Sequence, residues 1–429
     1  MTWVLGVNIG HQSGATLVRE GKVFVSINLE RITRIKNDNG YPSPEENNWD
    51  YSLIEFPWKA MDYCLDYANI QKMDLDRIVW NGIGLTPDQQ ISVDGFLVQK
   101  LKKNGYNLPN DRLNYCTHHL AHAYSTHYSS GFDESIILVA DNAGEMNYKQ
   151  TVDDFVENKI AHTQKTRLGE CVEATSIYEV KKGVFKRIYS RYKAAYSYFN
   201  TIGKHKDGSG FSTRYRLGKS LGEWYYDNCI HIGLTGDDAG KLMGLAPFGD
   251  EDKVKQKYKE PMVYIDKDPK AGEYLIRAHE HLPYEEQEEL DEMYINTPIP
   301  SYMSDKIYEN DFQSQANHAL FVQNQFERVV EFLAKKCSMI SDVKNFCVAG
   351  GSFLNSVANQ KIIDLDIFDN HFFVPAADDS GISLGCAFYG YFNFHSKKGI
   401  FNLSNREESA FMGKKYNEKE ILGALNEYS

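Results

Sequence analysis

The 429-residue chain has no long run of apolar residues, and its first residues lack the pattern expected of a secretory leader. A membrane-spanning helix needs roughly 20 consecutive apolar residues, and no stretch of the sequence approaches that length. The opening sequence MTWVLGVNIGH carries neither the basic start nor the small-residue cleavage site of a signal peptide. We therefore predict a protein without membrane contact that stays in the cytoplasm.

The chain has few cysteines, and it has fewer basic than acidic residues. The seven cysteines are widely scattered and include no C-x-x-C pair, which is typical of reduced, buried thiols rather than of a disulfide framework or a zinc knuckle. The 47 Lys and Arg residues are outnumbered by 59 Asp and Glu, so the formal net charge is −12. This charge excludes a chain that coats nucleic acid or anionic membrane with its whole surface, but it does not exclude a local basic patch.

The chain does have enough apolar sequence for two or three lobes with their own cores, since 42% of its residues are hydrophobic. Short apolar strands alternate with helical patterns, which favours the α/β class. A strand followed by a Gly or Asp turn occurs at residues 3–14 and again at 135–144. We therefore predict two α/β lobes of similar topology at residues 1–130 and 131–400, the second with an insertion at 151–310.

Three histidines stand close together in the segment Thr117-His118-His119-Leu120-Ala121-His122. On a helix, His118 and His122 lie one turn apart on the same face, and this spacing lets two imidazole nitrogens hold one metal ion. His119 points elsewhere and is predicted to be structural. The competing interpretation is that these histidines cap or pack a helix start, because i,i+4 pairs also arise by chance.

Two aspartates follow predicted strands, Asp141 in the first third of the chain and Asp379 near its end. Because the carboxyl ends of strands converge on one cleft in an α/β fold, we predict that both carboxylates meet His118 and His122. Two imidazoles and two carboxylates suit iron, manganese or zinc beside a phosphate-bearing ligand. The alternative is that each aspartate caps the helix that follows it.

Glycine-rich turns also follow predicted strands. The first joins the two N-terminal strands at Gly10 and His11, and the second is Gly350-Gly351-Ser352. Glycine at these points lets the backbone approach a nucleotide closely. A turn of small residues at 241–247 carries a lysine, but spacing alone assigns it no role.

Seven motifs in a fixed order resemble the O-carbamoyltransferase family that modifies nodulation factors, cephem antibiotics and aminoglycosides. They are GHQSGATLV, ERITRIK, HHLAHA, ADNAGE, GKLMGLAPFG, GGSFLNSVAN and PAADDSGISLGCA, and the resemblance as a whole spans residues 3–395. The chain is also similar, more distantly, to the tRNA threonylcarbamoyladenosine synthase subunit. The resemblance implies a two-lobed actin and sugar-kinase-like fold of ribonuclease H-like lobes, with the active cleft between them. It also implies that carbamoyl phosphate and ATP form carbamoyl-adenylate, whose carbamoyl group then passes to an alcohol.

The same resemblance implies roles for individual residues. The family's metal positions, with Fe²⁺ or another divalent transition metal as the ion, fall on His118, His122, Asp141 and Asp379. Its nucleotide-binding positions fall on Gly10, Lys241, Gly244, Gly350, Gly351, Ser352 and Asn355. His11 and Lys36 fall on active-site positions, where either His11 or a metal-linked group takes the acceptor proton. Arg31, Arg34 and Lys36 match a basic run, with Asn37 where relatives usually carry histidine.

Residues 401–429 resemble the opening of a C-terminal adenylate-forming domain that relatives usually carry and that is otherwise absent here. Either the chain is truncated or the carbamoyl-adenylate comes from elsewhere, in which case we expect a partner domain to supply it. This interpretation predicts that the chain alone transfers from supplied carbamoyl-adenylate but not from carbamoyl phosphate plus ATP.

Residues 181–219 are unusually basic and aromatic, with eleven Lys and Arg residues against the single Asp207. Basic residues supply phosphate contacts and aromatic residues supply stacking platforms, a combination used on nucleic acids. The predicted acceptor contacts are Arg31, Arg34, Lys186, Arg187, Arg191, Lys193, Lys204, Lys206, Arg214 and Arg216. The competing interpretation is a solvated loop whose tyrosines pack in the core.

The leading function is O-carbamoyl transfer to a hydroxymethylated pyrimidine in DNA, such as 5-hydroxymethylcytosine, with the base extruded from the duplex. A small natural product or sugar alcohol is the alternative acceptor. An ATP-dependent small-molecule kinase is a different alternative, against which the histidine-rich site argues because magnesium prefers oxygen ligands. A third alternative is a non-catalytic subunit that binds a nucleotide.

Overall fold

The computed structural model describes residues 1–40, 54–82, 95–144, 146–147, 171–194, 220–258, 263–265, 267–270, 274–276, 311–396, 410, 412–413 and 416–427. Its contacts divide the chain into two compact units. The first unit comprises Met1–Cys116 and Asp379–Ser429, and the second comprises Thr117–Asp378.

In chain order, the strands are β1 (Trp3–Ile9), β2 (Gly14–Arg19), β3 (Lys22–Asn28), β4 (Arg77–Gly82), β5 (Leu113–Tyr115), β6 (Ser135–Ala140), β7 (Met146–Asn147), β8 (Cys171–Lys181), β9 (Val184–Ala194), β10 (Val263–Ile265), β11 (Tyr274–Ile276), β12 (Asn345–Ala349) and β13 (Asn370–Phe373). The helices are α1 (Glu30–Thr33), α2 (Trp58–Ala68), α3 (Phe96–Lys103), α4 (His118–Ser130), α5 (Leu221–His231), α6 (Ala239–Leu245), α7 (Glu251–Lys257), α8 (Phe312–Ile340), α9 (Ser356–Asp364), α10 (Ile382–Phe394) and α11 (Glu418–Glu427).

The first unit is built on a five-stranded sheet in the order β3-β2-β1-β4-β5. β2 pairs antiparallel with both β1 and β3, whereas β4 pairs parallel with both β1 and β5. Every residue of β1 is buried, and this is why the strand is almost continuously apolar instead of alternating. Helix α10 packs so closely on this sheet that a Cβ atom on Gly6 would lie 2.1 Å from the Ser383 carbonyl oxygen.

The second unit repeats this topology. Its sheet has the order β13-β12-β6-β8-β7, with β9 also paired to β8. β8 pairs antiparallel with both β6 and β9, whereas β12 pairs parallel with both β6 and β13. Apart from the two-residue β7, both sheets therefore share one strand order and one set of directions. The predicted α/β fold of two ribonuclease H-like lobes is confirmed.

The long helix α8 provides much of the core of the second unit. Asp311 caps it by accepting a hydrogen bond from the Ser314 backbone N–H at 2.9 Å. The buried side chains of its apolar stripe include Phe326, Val329 and Leu333, as the helical spacing of the sequence predicts. They pack in one cluster with residues of α5 and β12.

Two helices fall in a different unit from the predicted one. α4 belongs to the second unit and α10 to the first, whereas lobes at 1–130 and 131–400 place them the other way round. α10 packs on the first sheet, where a Cβ atom on Gly390 would lie 2.7 Å from Val4, and α4 packs on β6 and β12. The hairpin of β8 and β9, predicted within the insertion at 151–310, forms two strands of the second sheet.

Among the described residues, no helix combines the length and the apolar character that crossing a membrane requires. The cytoplasmic location stays a prediction. Six cysteines in the same ranges are buried thiols outside any disulfide. Burial raises the pKa of Cys229 and of Cys347 to about 12, so these two thiols are poor nucleophiles near neutral pH.

Candidate metal and nucleotide site

Helix α4 begins at the histidine cluster, with Thr117 as its extended N-cap residue. His118 and His122 are separated by one helical turn, and their ring centroids lie 4.8 Å apart with the ring planes at 87°. Both side chains are fully buried. The buried i,i+4 pair of imidazoles is the arrangement that the sequence predicts.

Asp141 joins the two histidines in the second unit. It directly follows β6, and its Oδ2 atom lies 3.1 Å from His118 Nε2 and 3.6 Å from His122 Nε2. The three ligand atoms all lie within 4.8 Å of one another. Burial alone would raise the pKa of the Asp141 carboxyl, but hydrogen bonds with His118 and His122 hold this pKa well below its usual range. An ionised carboxylate with two imidazoles is a donor set that fits a divalent transition metal.

The glycine turn after β12 contacts the same aspartate. Gly350 has φ +98°, and a Cβ atom there would lie 2.3 Å from the Ala140 carbonyl oxygen, so only glycine fits between the two strands. The Gly351 N–H donates a 3.0 Å hydrogen bond to Asp141 Oδ1. Ser352 Oγ is buried and has no hydrogen-bond partner within the described part of the chain. A buried hydroxyl beside the glycine backbone suits a polar ligand.

The side chain of Asn355 is held by hydrogen bonds within the second unit. Its Oδ1 atom caps α9 by accepting from the Ala358 N–H at 3.0 Å. Its Nδ2 atom donates to Gln323 Oε1 at 2.9 Å, and Gln323 Nε2 donates back to Asn355 Oδ1 at 3.1 Å. Gln323 is absent from the sequence-based site, because a glutamine inside the apolar pattern of α8 gives no local sign of its partner.

His119 is directed away from the other two imidazoles into a separate contact, as predicted. Its Nδ1 atom lies 2.7 Å from Ser176 Oγ, and burial together with the neighbouring His118 lowers its pKa well below the usual value. A Cβ atom on Gly144 would lie 2.5 Å from His119 Nε2. The neutral ring therefore packs against the turn that follows Asp141.

Lys241 and Gly244 lie on α6, in the second unit. Lys241 is exposed, and its Nζ atom pairs with Asp238 Oδ1 at 2.8 Å. A Cβ atom on Gly244 would meet nothing within 4 Å. Packing within the described chain therefore does not explain glycine at this position.

In the first unit, Gly10 and His11 lie in the turn between β1 and β2. The Asn8 amide donates to the His11 carbonyl at 2.9 Å and to the Asp379 carbonyl at 3.1 Å. Gly10 has φ +117°, and the His11 side chain is exposed. Asp379 itself is buried and opens a 3-10 turn at 379–381. The hairpin turn and the start of the Asp379 segment are thus held together by one buried asparagine.

The basic run follows β3 and is attached to the same turn. Ser13 accepts at its carbonyl from the Leu29 N–H at 2.8 Å and donates its own N–H to the Asp38 carbonyl at 3.0 Å. These bonds enclose the segment that holds three exposed basic side chains, Arg31, Arg34 and Lys36. Within it, Arg31 pairs with Glu30 at 3.4 Å and Arg34 has the left-handed φ of 65°. Backbone hydrogen bonds therefore connect the turn that holds His11 with the segment of the basic run.

The predicted acceptor contacts within 181–219 differ in how far their side chains are exposed. Lys186 is exposed on β9, whereas Arg187 forms an ion pair with buried Glu173. Arg191 is only 5% exposed, and its guanidinium lies 4.2 Å from the Tyr274 ring centroid. Arg191 therefore lies in the interior and not on an acceptor surface. The side chain of Lys193 and all of Lys204, Lys206, Arg214 and Arg216 lie outside the described residues.

The fold and the His/Asp cluster define a protein of two ribonuclease H-like units, with a set of metal-binding side chains beside a glycine turn. A family model described as the carbamoyltransferase N-terminus matches residues 3–99 and 94–388. The chain therefore belongs to the carbamoyltransferase family.

Individual relatives are distant and longer. Nodulation protein NolNO of Sinorhizobium fredii is 24% identical over 408 residues, which cover 88% of this chain and 46% of that protein. An uncharacterised Synechocystis protein is 22% identical over 98% of this chain and 62% of its own length. The chain thus spans about half to three fifths of the length of these relatives. Among solved structures, HypF of T. kodakarensis matches 91% of this chain and 47% of its own, with 14% identity and a TM-score of 0.49.

Proposed function

We propose that the chain moves a carbamoyl group from carbamoyl-adenylate to an acceptor hydroxyl. The observation that carries this proposal is the position of Asp141 in a member of the carbamoyltransferase family. One carboxylate oxygen faces His118 and His122, and the other accepts from the Gly351 N–H. Asp141 would then connect the metal-binding histidines to the glycine turn that binds phosphate, so that both contact the same ligand.

The metal is assigned to His118, His122 and Asp141, with Asp379 as the fourth ligand and Fe²⁺ or another divalent transition metal as the ion. Asp379 is chosen for two reasons. Its side chain is buried, and it is the second of the two strand-end aspartates that the sequence predicts as ligands. When bound, such an ion supplies Lewis acidity to an oxygen of the adenylate.

The transfer step requires one bond to form and one to break. The acceptor oxygen bonds to the carbamoyl carbon, the bond from this carbon to the phosphate oxygen breaks, and AMP leaves with the electron pair. We assign adenylate binding to the backbone and hydroxyl of Gly350-Gly351-Ser352, with Gly10, Lys241 and Gly244. Arg31, Arg34 and Lys36 balance phosphate charge, and His11 donates to the carbonyl oxygen or takes the acceptor proton.

Carbamoyl phosphate and ATP are proposed as the source of the adenylate, which a partner domain would form. For the acceptor, the basic and aromatic composition of 181–219 supports hydroxymethylated pyrimidine in DNA. The internal partners of Arg187 and Arg191 reduce the number of charges available to DNA and favour a small alcohol or sugar as the second candidate.

Metal analysis tests the site itself. The purified wild-type chain should hold about one transition-metal ion, and Asp141→Asn or Asp379→Asn should weaken metal affinity by about tenfold or more. His127→Asn is the matched control, because His127 is a buried histidine of the same helix that bonds Ser135 at 2.8 Å. Full metal affinity in Asp379→Asn would remove Asp379 from the ligand set. Loss of metal in His127→Asn alone would contradict the whole assignment.

Mass spectrometry tests the reaction and its acceptor. The chain is incubated with synthetic carbamoyl-adenylate and either hydroxymethylated DNA or a panel of small alcohols, and products are searched for the added carbamoyl mass. Transfer to one class identifies the acceptor, and His11→Ala should slow that transfer by about a hundredfold. An absence of carbamoyl transfer by metal-loaded protein to every acceptor would contradict the proposed function.

A further inference from the structure

Gln323 is buried at the point where α8 passes the glycine turn. It is only 3% exposed, although it lies within an apolar helix face. Burial of a primary amide is costly unless its donors and acceptor are paired. The partners of this amide therefore identify what it holds in place.

The hydrogen-bond partners of Gln323 within the described chain belong to one network. The Gln323 Oε1 atom accepts from Tyr225 Oη and from Asn355 Nδ2, both at 2.9 Å. Its Nε2 atom donates to Glu327 Oε1 at 2.9 Å and to Asn355 Oδ1 at 3.1 Å. The two amides thus exchange a reciprocal pair of hydrogen bonds, and neither can rotate without breaking both.

Asn355 connects the Gln323 amide to the Gly350–Asn355 turn. Its Oδ1 atom also accepts from the Ala358 N–H, which fixes the start of α9. The Asn355 N–H donates to the Ser352 carbonyl at 3.4 Å, and the Phe353 N–H donates to the Gly350 carbonyl at 3.0 Å. The same short segment presents Gly351 and the buried Ser352 hydroxyl.

We propose that Gln323 is a positioning residue that fixes the Gly350–Asn355 turn for nucleotide binding through its amide pair with Asn355. This inference rests on the proposed function, because the turn is assigned there to the adenylate. Gln323 does not itself touch the nucleotide. It acts by keeping Asn355 in one rotamer, so the turn does not reorganise when the ligand binds.

The test compares Gln323→Met with Gln325→Met. Gln325 is a matched control on the same helix, since it is 7% exposed and accepts from Arg328 at 3.1 Å. Isothermal titration with AMP should give a Kd about tenfold higher for Gln323→Met, the cost of one lost buried hydrogen-bond pair. Gln325→Met should leave the Kd within about twofold. Metal content should be unchanged in both variants.

A double-mutant cycle separates positioning from simple destabilisation. If Gln323 acts through Asn355, then Asn355→Ala should weaken AMP binding in the wild type but have little further effect in Gln323→Met. Additive effects would overturn the inference, and so would equal Kd values in wild type and Gln323→Met. If Gln323→Met does not fold, Gln323→Glu retains the side-chain shape and must still weaken binding relative to Gln325→Glu. A wild-type chain that binds no AMP would overturn the proposed function itself and the inference that rests on it.

Discussion

At the scale of single residues, Gly350 shows most directly how the fold restricts the site. Its φ is +98°, and a Cβ atom placed on it would lie 2.3 Å from the Ala140 carbonyl oxygen, so a side chain is excluded. Gly350→Ala is expected to lower the free energy of unfolding by about 2–4 kcal/mol, because backbone must shift on both strands. Urea unfolding followed by circular dichroism measures the change.

Gly240→Ala is the control for this prediction. A Cβ atom on Gly240 meets nothing within 4 Å, and the residue lies in α6. Alanine is the better helix former, so stability should stay within about 0.5 kcal/mol or rise slightly. Equal stabilities of the two alanine variants would contradict the close contact at Gly350.

His127 gives the protein a pH-dependent contribution to stability. Burial lowers its pKa to about 3, whereas the unfolded value is about 6.5. Between these values the unfolded chain binds a proton that the folded chain does not. This contribution is therefore complete above about pH 6.5 and is lost as the pH falls, at about 1.4 kcal/mol per pH unit.

His127→Asn removes this titration and retains a polar group for the Ser135 hydroxyl. The slope of unfolding free energy against pH between about 6.5 and 4.5 should then decrease by about 1.4 kcal/mol per unit. Urea unfolding at several pH values in this range measures both slopes. Identical slopes for wild type and variant would show that the buried ring is protonated in the folded state.

At the scale of elements, the hairpin of β8 and β9 is held by an internal charge pair. The Glu173 side chain is 3% exposed and pairs with Arg187. Arg187→Leu should lower the free energy of unfolding by about 2–4 kcal/mol, because it removes a cation that pairs with a buried carboxylate. Glu173→Gln in the same chain should recover part of that loss, since the buried negative charge is then removed.

Chemical denaturation of the single and double variants measures this coupling. Lys186→Ala is the control, because Lys186 is the exposed neighbour on the same strand. Its effect should stay within about 0.5 kcal/mol. An Arg187→Leu chain as stable as Lys186→Ala would mean that Glu173 does not depend on the ion pair.

The helices and strands also show which residues of the site could be predicted from the sequence. His118 and His122 were predictable because helical spacing is a local rule, and Asp141 because strand ends follow from the apolar run before them. Gln323 was not, since its partner Asn355 is 32 positions away. The burial of Arg191 likewise depends on Tyr274, a contact across 83 positions. Local patterns give the element and its face, but not which distant side chain satisfies a buried polar group.

At the scale of the whole molecule, the two sheets repeat one topology, and this was predictable from the repeated strand and turn pattern. The unit boundaries were harder to predict. The return of the chain to the first sheet at α10 depends on Gly6 and Gly390, which permit close helix packing. Nothing in the sequence near α10 states which of two similar sheets it covers.

The distribution of charge over the chain leads to a prediction about the acceptor. The formal net charge is −12, yet residues 181–219 carry eleven basic side chains against one aspartate, so the rest of the chain is still more acidic than the total. If DNA is the acceptor, binding must depend on this segment. Affinity for hydroxymethylated DNA should then fall by about tenfold or more between about 50 and 200 mM salt.

Two triple variants with equal loss of charge test this dependence. The first replaces Lys204, Lys206 and Arg214 with alanine, and the control replaces Lys253, Lys255 and Lys257 on α7, which are exposed. Fluorescence anisotropy should show weaker DNA binding and a smaller salt slope for the first variant only, because each lost phosphate contact releases one counterion fewer. Equal effects of both variants would indicate non-specific electrostatics. Indifference to salt and to both sets of changes would contradict a DNA acceptor and leave the small alcohol as the substrate.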